Sequence, residues 1–169
     1  MPQVILSEVL GFCMGVSRAV EMARQASGRL SRGEGENARK GPVYTLGPLI
    51  HNPRVLHDLS ELDIRALDEK QPPFSLENST VIIRAHGICP VRERKLGKKA
   101  GKILDATCPH VKANQKTAQD YAEKGYRVFL GGEKDHAELI GIRSYAEQGE
   151  PGKTCMVVSS PQEAERAAG

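Results

Sequence analysis

Residues 102–111 have the sequence KILDATCPHV, and this stretch decides the fold. An apolar run, residues 102–104, passes through a short polar turn to Cys108. Pro109 then suits the first turn of a helix, because its fixed backbone angle matches that position. A short strand followed at once by a helix is the repeating unit of α/β proteins. The stretch therefore predicts a strand, a loop that carries a cysteine, and a helix.

The same unit occurs five times along the chain. An apolar run ends in a short loop that carries Cys or His, and a helix-like segment follows; the loop residues are Cys13, His51, His86, Cys108 and His136. The apolar runs are residues 4–6, 43–46, 81–84, 102–104, 127–130 and 154–158. This alternation predicts an α/β fold with mostly parallel sheets, so that all five loops lie at the carboxyl ends of strands. α/β proteins bind ligands at that edge, and helix N-termini there favour anions.

Local signals place individual helix ends. Asn52-Pro53 predicts a helix start, because the side chain of Asn52 can cap the helix and proline suits its first turn. Gly125 predicts the end of the helix that contains Tyr121 and Ala122. Four apolar residues recur at the spacing of a half-buried helix. They are Val16, Ala19, Val20 and Ala23.

Two stretches and one boundary complete the predicted organisation. Residues 27–41 are polar and rich in glycine, so they predict a mobile loop. Residues 71–79 also predict a loop, because they contain Pro-Pro, which is unsuited to a central strand. A boundary near residues 100–101, after the basic helix of residues 92–99, predicts two α/β units. The first spans residues 1–100, and the second, residues 101–169, is expected to be incomplete.

Composition excludes several classes of protein. The chain has 169 residues, a net charge of +3, 39% hydrophobic and 27% charged residues, which is close to the average for globular proteins. Aromatic residues make up only 4%, with no Trp, so a nucleic-acid-binding surface is not expected. No apolar run approaches the roughly 20 residues of a membrane span, and no signal peptide is evident, so a cytoplasmic location is predicted.

Four cysteines in a cytosolic protein are not expected to form a disulfide framework. Cys13 and Cys108 occupy equivalent loops at helix starts, where the helix N-terminus favours the thiolate, the form that binds metal. The alternative is two buried cysteines in tight turns. Cys89 precedes Pro90 and shares the pattern, whereas Cys155 lies inside an apolar run and is predicted to belong to the core.

Three histidines and one carboxylate are the other candidates. Imidazole can donate to phosphate oxygens, bind metal or transfer protons, and His51, His86 and His136 share the same kind of loop. A single loop histidine is usually solvated, and His57 and His110 are interpreted in that way. Glu138 could act as a general acid in a shielded pocket, or it could simply complement a helix dipole. No G-x-G-x-x-G or Walker A lysine supports nucleotide binding.

Five motifs in order resemble the 4-hydroxy-3-methylbut-2-enyl diphosphate reductases. Any one of them is moderate evidence, and their common order along the chain makes the resemblance strong. It extends from about Val4 to Ser160. The motifs are GFCMGV at residues 11–16, GPLIHNP at 47–53, RAHG at 84–87, DATCPHV at 105–111 and GEKDHAELIG at 132–141.

The resemblance implies an iron–sulfur oxidoreductase of the non-mevalonate isoprenoid pathway. Such an enzyme removes a hydroxyl reductively to give isopentenyl and dimethylallyl diphosphates, and its three α/β units surround a 4Fe-4S cluster held by three cysteines. Three ligands leave one iron open to act as a Lewis acid. By resemblance, Cys13 and Cys108 are cluster ligands and Glu138 delivers protons. The implied diphosphate-binding residues are His51, His86 and His136, and the implied electron donor is a ferredoxin or flavodoxin.

The chain departs from the family pattern in three respects. Gln115 stands where the family usually has histidine, and Ala137 stands where it usually has proline. The third cluster cysteine is also missing, since family members extend well beyond Gly169. We therefore expect an amino-terminal portion, inactive alone, that takes up little cluster on anaerobic reconstitution. Two alternatives remain open, a non-catalytic module that binds a phosphate ligand and a mononuclear metal site formed by Cys13, Cys108 and histidines.

Overall fold

The structure is a computed structural model, and it describes residues 3–5, 11–28, 41–68, 75–148 and 155–168. Helices and strands alternate along almost all of this length, as the sequence predicts for an α/β protein. In chain order they are α1 (Met14–Ser27), β1 (Val43–Leu46), α2 (Pro53–Glu61), β2 (Ile64–Leu67), β3 (Leu76–Ile83), α3 (Pro90–Gly97), β4 (Ala100–Asp105), α4 (Pro109–Glu123), β5 (Val128–Gly131), α5 (Ala137–Ala146), β6 (Cys155–Val158) and α6 (Pro161–Ala168).

The strands form two sheets in which every described pairing is parallel. The first has four strands in the order β2-β1-β3-β4, and the second pairs β5 with β6. This arrangement confirms the predicted α/β class with mostly parallel sheets. Because parallel strands all point the same way, the loops that follow β1, β3 and β4 emerge at one edge of the larger sheet.

Helices cover both faces of the four-stranded sheet. Along β3, Val81 and Ile83 pack with Leu96 of α3 on one face, whereas Ile82 packs on the other face with residues of α1 and α2. All three β3 side chains are almost fully buried. Burial on both faces explains why residues 81–83 are uniformly apolar rather than alternating with polar residues.

A separate apolar cluster packs the second sheet against helices α4 and α5. Ala118 of α4, Ile142 and Ala146 of α5, and Cys155 of β6 are buried together. Cys155 is therefore a core residue, as predicted, and its burial raises the pKa of the thiol to about 11. Through this cluster, α4 connects the loop of Cys108 with the unit that carries His136.

Several predicted helix ends are confirmed. Asn52 caps α2, and its side-chain oxygen accepts hydrogen bonds from the backbone N–H groups of Arg54 and Val55 at 3.1 and 3.2 Å. Gly125 follows α4 with a φ of 82°, a conformation that suits glycine. The predicted stripe lies on α1, where Ala19, Val20 and Ala23 are buried.

Other predicted boundaries are wrong. Val4 and Ile5 form no strand and are 81% and 85% exposed, because no described strand lies beside them; Leu6 lies outside the described residues. The predicted loop of residues 71–79 belongs to strand β3 from Leu76 onward, because pairing with β4 and burial of Leu76 outweigh the polar residues that follow. Residues 71–74, including Pro-Pro, lie outside the description.

Two further differences concern the ends of predicted segments. Ser27 is the last residue of α1 rather than part of a loop, and it is buried with its hydroxyl donating to the carbonyl of Arg24. Residues 29–40, the rest of that predicted mobile loop, lie outside the described part of the chain. The basic helix predicted at residues 92–99 is observed as α3, but it begins and ends two residues earlier, at Pro90–Gly97. Strand β2 was not predicted at all.

The predicted boundary at residues 100–101 coincides with the first residues of β4. Because β4 pairs with β3, the four-stranded sheet continues across this point, and the sheets themselves change after β4. The division into units 1–100 and 101–169 stays a prediction. Within the ranges given above, none of the helices has the length and apolar character that a membrane crossing requires.

Candidate functional site at the carboxyl edge of the sheets

The three predicted histidines lie together. His51 follows β1, His86 follows β3 and His136 precedes α5, so each is carried by a loop at a strand end. The ring of His86 stands between the other two, with centroid separations of 5.9 Å to His51 and 5.8 Å to His136. The parallel pairing of β1 and β3 places His51 and His86 together. His136, 85 positions after His51, joins them from the loop that follows β5 of the second sheet.

His86 is the most shielded member of this histidine cluster. Its Nδ1 is buried and has no hydrogen-bond partner among the described residues. Burial lowers the pKa of His86, and the positive charges of Arg84 and of protonated His136 and His51 lower it further. The carboxylate of Glu138 acts in the opposite sense, which places Glu138 within electrostatic reach of His86. Relative to an exposed histidine, the neutral form of the central imidazole is therefore favoured.

Glu138 is linked directly to the same cluster through His136. The Nδ1 atom of His136 accepts a hydrogen bond from the backbone N–H of Glu138 at 3.3 Å and so caps α5. Glu138 itself lies in the first turn of α5 and is half-buried. Both of the interpretations left open by the sequence, a helix-dipole partner and an acid beside the histidines, are compatible with this position.

Cys13 and Cys108 begin α1 and α4 in the same way, each as the residue before the first helical turn. They belong to one neighbourhood, because the Sγ of Cys108 lies against Gly15, two residues from Cys13. A Cβ added to Gly15 would be 2.6 Å from that sulfur and 2.9 Å from the Cβ of Cys108. Glycine at position 15 is therefore what allows α1 to approach the Cys108 thiol so closely.

The cysteine loops adjoin the histidine cluster. The backbone N–H of Cys108 donates a 2.9 Å hydrogen bond to the carbonyl of Ala85, the residue immediately before His86. Cys13 is exposed and Cys108 is half-buried, so both thiols are accessible to a ligand. The structure thus brings the predicted thiols and imidazoles to one edge of the molecule.

The other cysteines differ in their surroundings. Cys89 precedes α3 as Cys13 precedes α1, and it is partly exposed, whereas Cys155 is buried. In the described ranges no three His, Cys, Asp or Glu side chains are arranged to hold a metal ion. The mononuclear site considered above, from Cys13, Cys108 and histidines, is therefore not formed by these residues. A larger metal group could use the two thiols, but it needs further ligands.

Gln115, on α4, lies between the His86 loop and α5. Its side chain is 4% exposed, and its Nε2 has no partner among the described residues. A Cβ on Gly87, whose φ is 73°, would come within 2.9 Å of this nitrogen, and a Cβ on Gly141 within 3.4 Å. Two glycines therefore make room for the amide between the His86 loop and α5.

Two residues of the site were not predicted from sequence. Arg18 donates hydrogen bonds to backbone carbonyls of the loop before Cys108. Gln115 was noted only as a departure from the family pattern. Neither belongs to a strand-end loop, and the residues that each one lies against are far from it in the sequence. The sequence signal for Gln115 was a polar residue within the buried face of an amphipathic helix, and Arg18 had no such local signal.

The fold and this edge define a parallel α/β protein with clustered imidazoles and paired thiols. The sequence pattern of the family described as LytB protein matches residues 4–168. The chain is 41% identical over 160 residues to the 4-hydroxy-3-methylbut-2-enyl diphosphate reductase of Treponema denticola, covering 94% of this chain and 51% of that protein. It is 43% identical over 145 residues to the reductase of the same name from Aquifex aeolicus, covering 86% and 46%.

Solved structures agree with the sequence comparison. A structure described as (E)-4-hydroxy-3-methyl-but-2-enyl diphosphate reductase, the terminal enzyme of the non-mevalonate pathway, aligns with a TM-score of 0.76 and 41% identity, covering 97% of this chain and 53% of that one. A Plasmodium falciparum diphosphate reductase aligns with a TM-score of 0.73 and 28% identity, covering 92% and 44%. The chain belongs to the LytB protein family, which confirms the resemblance, and it spans about half the length of the curated relatives it matches.

Proposed function

We propose that this chain supplies the first part of the active site of a 4-hydroxy-3-methylbut-2-enyl diphosphate reductase. The observation that carries the proposal is the cluster of three imidazoles, with ring centroids 5.9 and 5.8 Å apart, beside two cysteines that each precede the first turn of a helix. Family membership and the names of the relatives support the same reaction. We further propose that the remaining ligands and pocket residues come from outside this chain.

The histidine cluster is proposed to bind the diphosphate. His51, His86 and His136 offer several imidazole N–H donors within a few ångströms, and the start of α5 adds backbone N–H groups and the positive end of a helix dipole. A bound anion also stabilises the protonated form of imidazole, so it would raise the pKa of His86, which burial lowers.

Glu138 is proposed to deliver protons to the departing hydroxyl. In the overall reaction, two electrons break the C–O bond, one proton leaves with the oxygen as water, and a second proton is taken up by the carbon skeleton. A carboxyl group within reach of His86 and His136 is suitably placed for such a proton transfer. Exchange of protons with these imidazoles would restore the acid after each turnover.

Cys13 and Cys108 are proposed as two ligands of a 4Fe-4S cluster. Their thiols occupy neighbouring helix starts, and the absence of a side chain on Gly15 leaves room for the sulfur of Cys108, so the pair suits two thiolate positions. When bound, such a cluster supplies single electrons and a Lewis-acidic iron. The described residues do not complete its ligand set. The proposed electron donor is a one-electron carrier of the ferredoxin or flavodoxin type.

Anaerobic reconstitution tests the proposal. The chain with iron and sulfide is expected to give little brown chromophore and no product from the allylic diphosphate with a reduced viologen dye. Adding the second half of the Treponema denticola relative as a separate polypeptide is expected to restore both. Cys13→Ser should then prevent cluster uptake, whereas Glu138→Gln should retain the cluster and lose product formation. Full cluster uptake by the chain alone, or normal turnover by Glu138→Gln, would contradict the assignment.

A non-catalytic module that binds a phosphate ligand is the second candidate. It is favoured by the same histidine cluster, whose imidazoles could bind a phosphate group without a metal. Calorimetry distinguishes the two. Diphosphate binding that is indifferent to iron, with no product under any reconstitution, supports the module, whereas cluster-dependent turnover supports the reductase.

A further inference from the structure

We propose that Arg18 is a positioning residue that fixes the spacing between the Cys13 and Cys108 loops, so that both thiols face one ligand. The inference rests on the proposed role of the two cysteines as metal ligands. It names the residue that sets their relative position, which neither the motifs nor the helical patterns of the sequence identify.

Arg18 connects α1 to the loop of Cys108 directly. It lies five residues after Cys13, on the first turns of the same helix. Its guanidinium donates from Nη1 to the carbonyl oxygen of Thr107 at 3.2 Å and from Nη2 to that of Asp105 at 3.3 Å. Arg18 of α1 therefore binds two carbonyl oxygens within the three residues that precede Cys108.

The peptide unit between Thr107 and Cys108 is held at both ends. Its carbonyl accepts the hydrogen bond from Arg18, and its N–H donates to the carbonyl of Ala85 at 2.9 Å. Because a peptide unit is planar, two fixed ends determine its orientation. The N–Cα bond of Cys108 is thereby oriented from α1 on one side and from the His86 loop on the other, and the φ of −57° at the start of α4 then sets the direction of its Cα–Cβ bond.

The loop that Arg18 binds is itself rigid. The carboxylate of Asp105 accepts hydrogen bonds from the backbone N–H of Thr107 at 2.9 Å and from its hydroxyl, and it pairs with Lys112 on α4. Burial alone would raise the pKa of Asp105, but the bonds from Lys112 and Thr107 outweigh it and lower the pKa. The bonds of Asp105 thus connect the turn before Cys108 with α4, and Arg18 adds a contact from α1 to the same turn.

The identity of the side chain matters. A guanidinium is planar and presents donors in a rigid fork, so it can reach two neighbouring carbonyls at once. A lysine offers a single ammonium group on a flexible stem and can replace only part of this contact. Gly15, against which the Cys108 sulfur lies, allows the close approach that Arg18 then maintains.

The test uses the whole chain with Cd²⁺ as a probe of the thiol pair, followed by the ultraviolet charge-transfer band of cadmium thiolates. Arg18→Met is compared with Arg54→Met, which removes the same kind of side chain from α2, where it is 85% exposed and pairs with Asp58 at 3.5 Å. We expect the Kd for Cd²⁺ to rise at least about tenfold in Arg18→Met, because thiols without a fixed spacing lose the advantage of a chelating pair. Arg54→Met should stay within about twofold of the unaltered chain.

A second readout reports the spacing itself. Dibromobimane becomes fluorescent when it alkylates two neighbouring thiols, and peptide mass spectrometry identifies the pair. The unaltered chain should yield the Cys13–Cys108 crosslink, Arg18→Met should yield much less, and Arg18→Lys should fall between them. Far-ultraviolet circular dichroism checks that each variant is folded.

The outcomes separate the inference from the proposed function. Unchanged Cd²⁺ affinity and unchanged crosslinking in folded Arg18→Met would overturn the role of Arg18; if that variant does not fold, the same result in Arg18→Lys would do so. If neither Cys13→Ser nor Cys108→Ser weakens Cd²⁺ binding, the thiol pair is not a metal site and the proposed function fails with it. If both weaken binding and the Arg18 variants do not, only the present inference fails.

Discussion

Replacing Gly15 by alanine tests whether α1 really packs against the Cys108 thiol. The added Cβ would lie 2.6 Å from Sγ and 2.9 Å from Cβ of Cys108, so helix and loop must move apart. Overpacking of this kind costs about 1–3 kcal/mol. Alanine also favours a helix over glycine by up to about 1 kcal/mol, which offsets part of the loss. We expect Gly15→Ala to lower the free energy of unfolding by about 0–3 kcal/mol.

A double-mutant cycle isolates the packing contribution from the helix contribution. In a Cys108→Gly background the two close atoms are gone, and the Cα of residue 108, at 3.7 Å, remains at an ordinary contact distance. Gly15→Ala should then stabilise the chain by up to about 1 kcal/mol, so the coupling between the sites is about 1–3 kcal/mol. Urea unfolding monitored by circular dichroism measures all four variants. Equal effects of Gly15→Ala in both backgrounds would refute the predicted contact.

Three further predictions concern single side chains. Gln115→Leu should raise the free energy of unfolding by about 1 kcal/mol in urea, because it removes a sealed amide nitrogen that has no partner among the described residues; a clear loss of stability would show that the amide is satisfied. Asn52→Ala should lower that free energy by about 1 kcal/mol through loss of the α2 cap, whereas Asn114→Ala, exposed on α4, should change it by less than about 0.5 kcal/mol; equal effects would contradict the cap. Burial lowers the pKa of His86 in the folded chain below its ordinary value of 6.5. As the pH falls, the unfolded chain therefore binds this proton before the folded chain does. The free energy of unfolding should then decrease as the pH falls from 6.5 towards the pKa of the folded chain. His86→Gln should flatten that part of the profile, and an unchanged slope in urea titrations would argue against a shielded imidazole.

The sequence predicts the elements whose signals are local. The cap at Asn52 and the strand at Val43–Leu46 depend on neighbouring residues, and both are observed where they are expected. The grouping of His51 with His86 follows from one rule, since neighbouring parallel strands place their carboxyl ends together. His136 follows β5 of the other sheet, so its position depends on the packing of α5 against α4.

Features that depend on tertiary contacts could not be predicted in this way. The first half of β3 contains Glu77 and Asn78, which resemble loop residues, but pairing with β4 keeps them in the strand. Val4 and Ile5 have the composition of a strand and lack a described partner. The hydrogen bonds of Arg18 span 87 and 89 positions, so no local pattern indicates them.

The measurement that tests the central claim most directly is a titration of the chain with inorganic diphosphate, observed through the ring signals of all five histidines by ¹H–¹³C NMR. The account predicts that the signals of the histidine cluster, His51, His86 and His136, move together with one affinity. The signals of His57 and His110, which serve as internal controls, should stay in place. Movement of all five to a similar extent, or no movement of the cluster, would contradict a common anion site at this edge of the sheets.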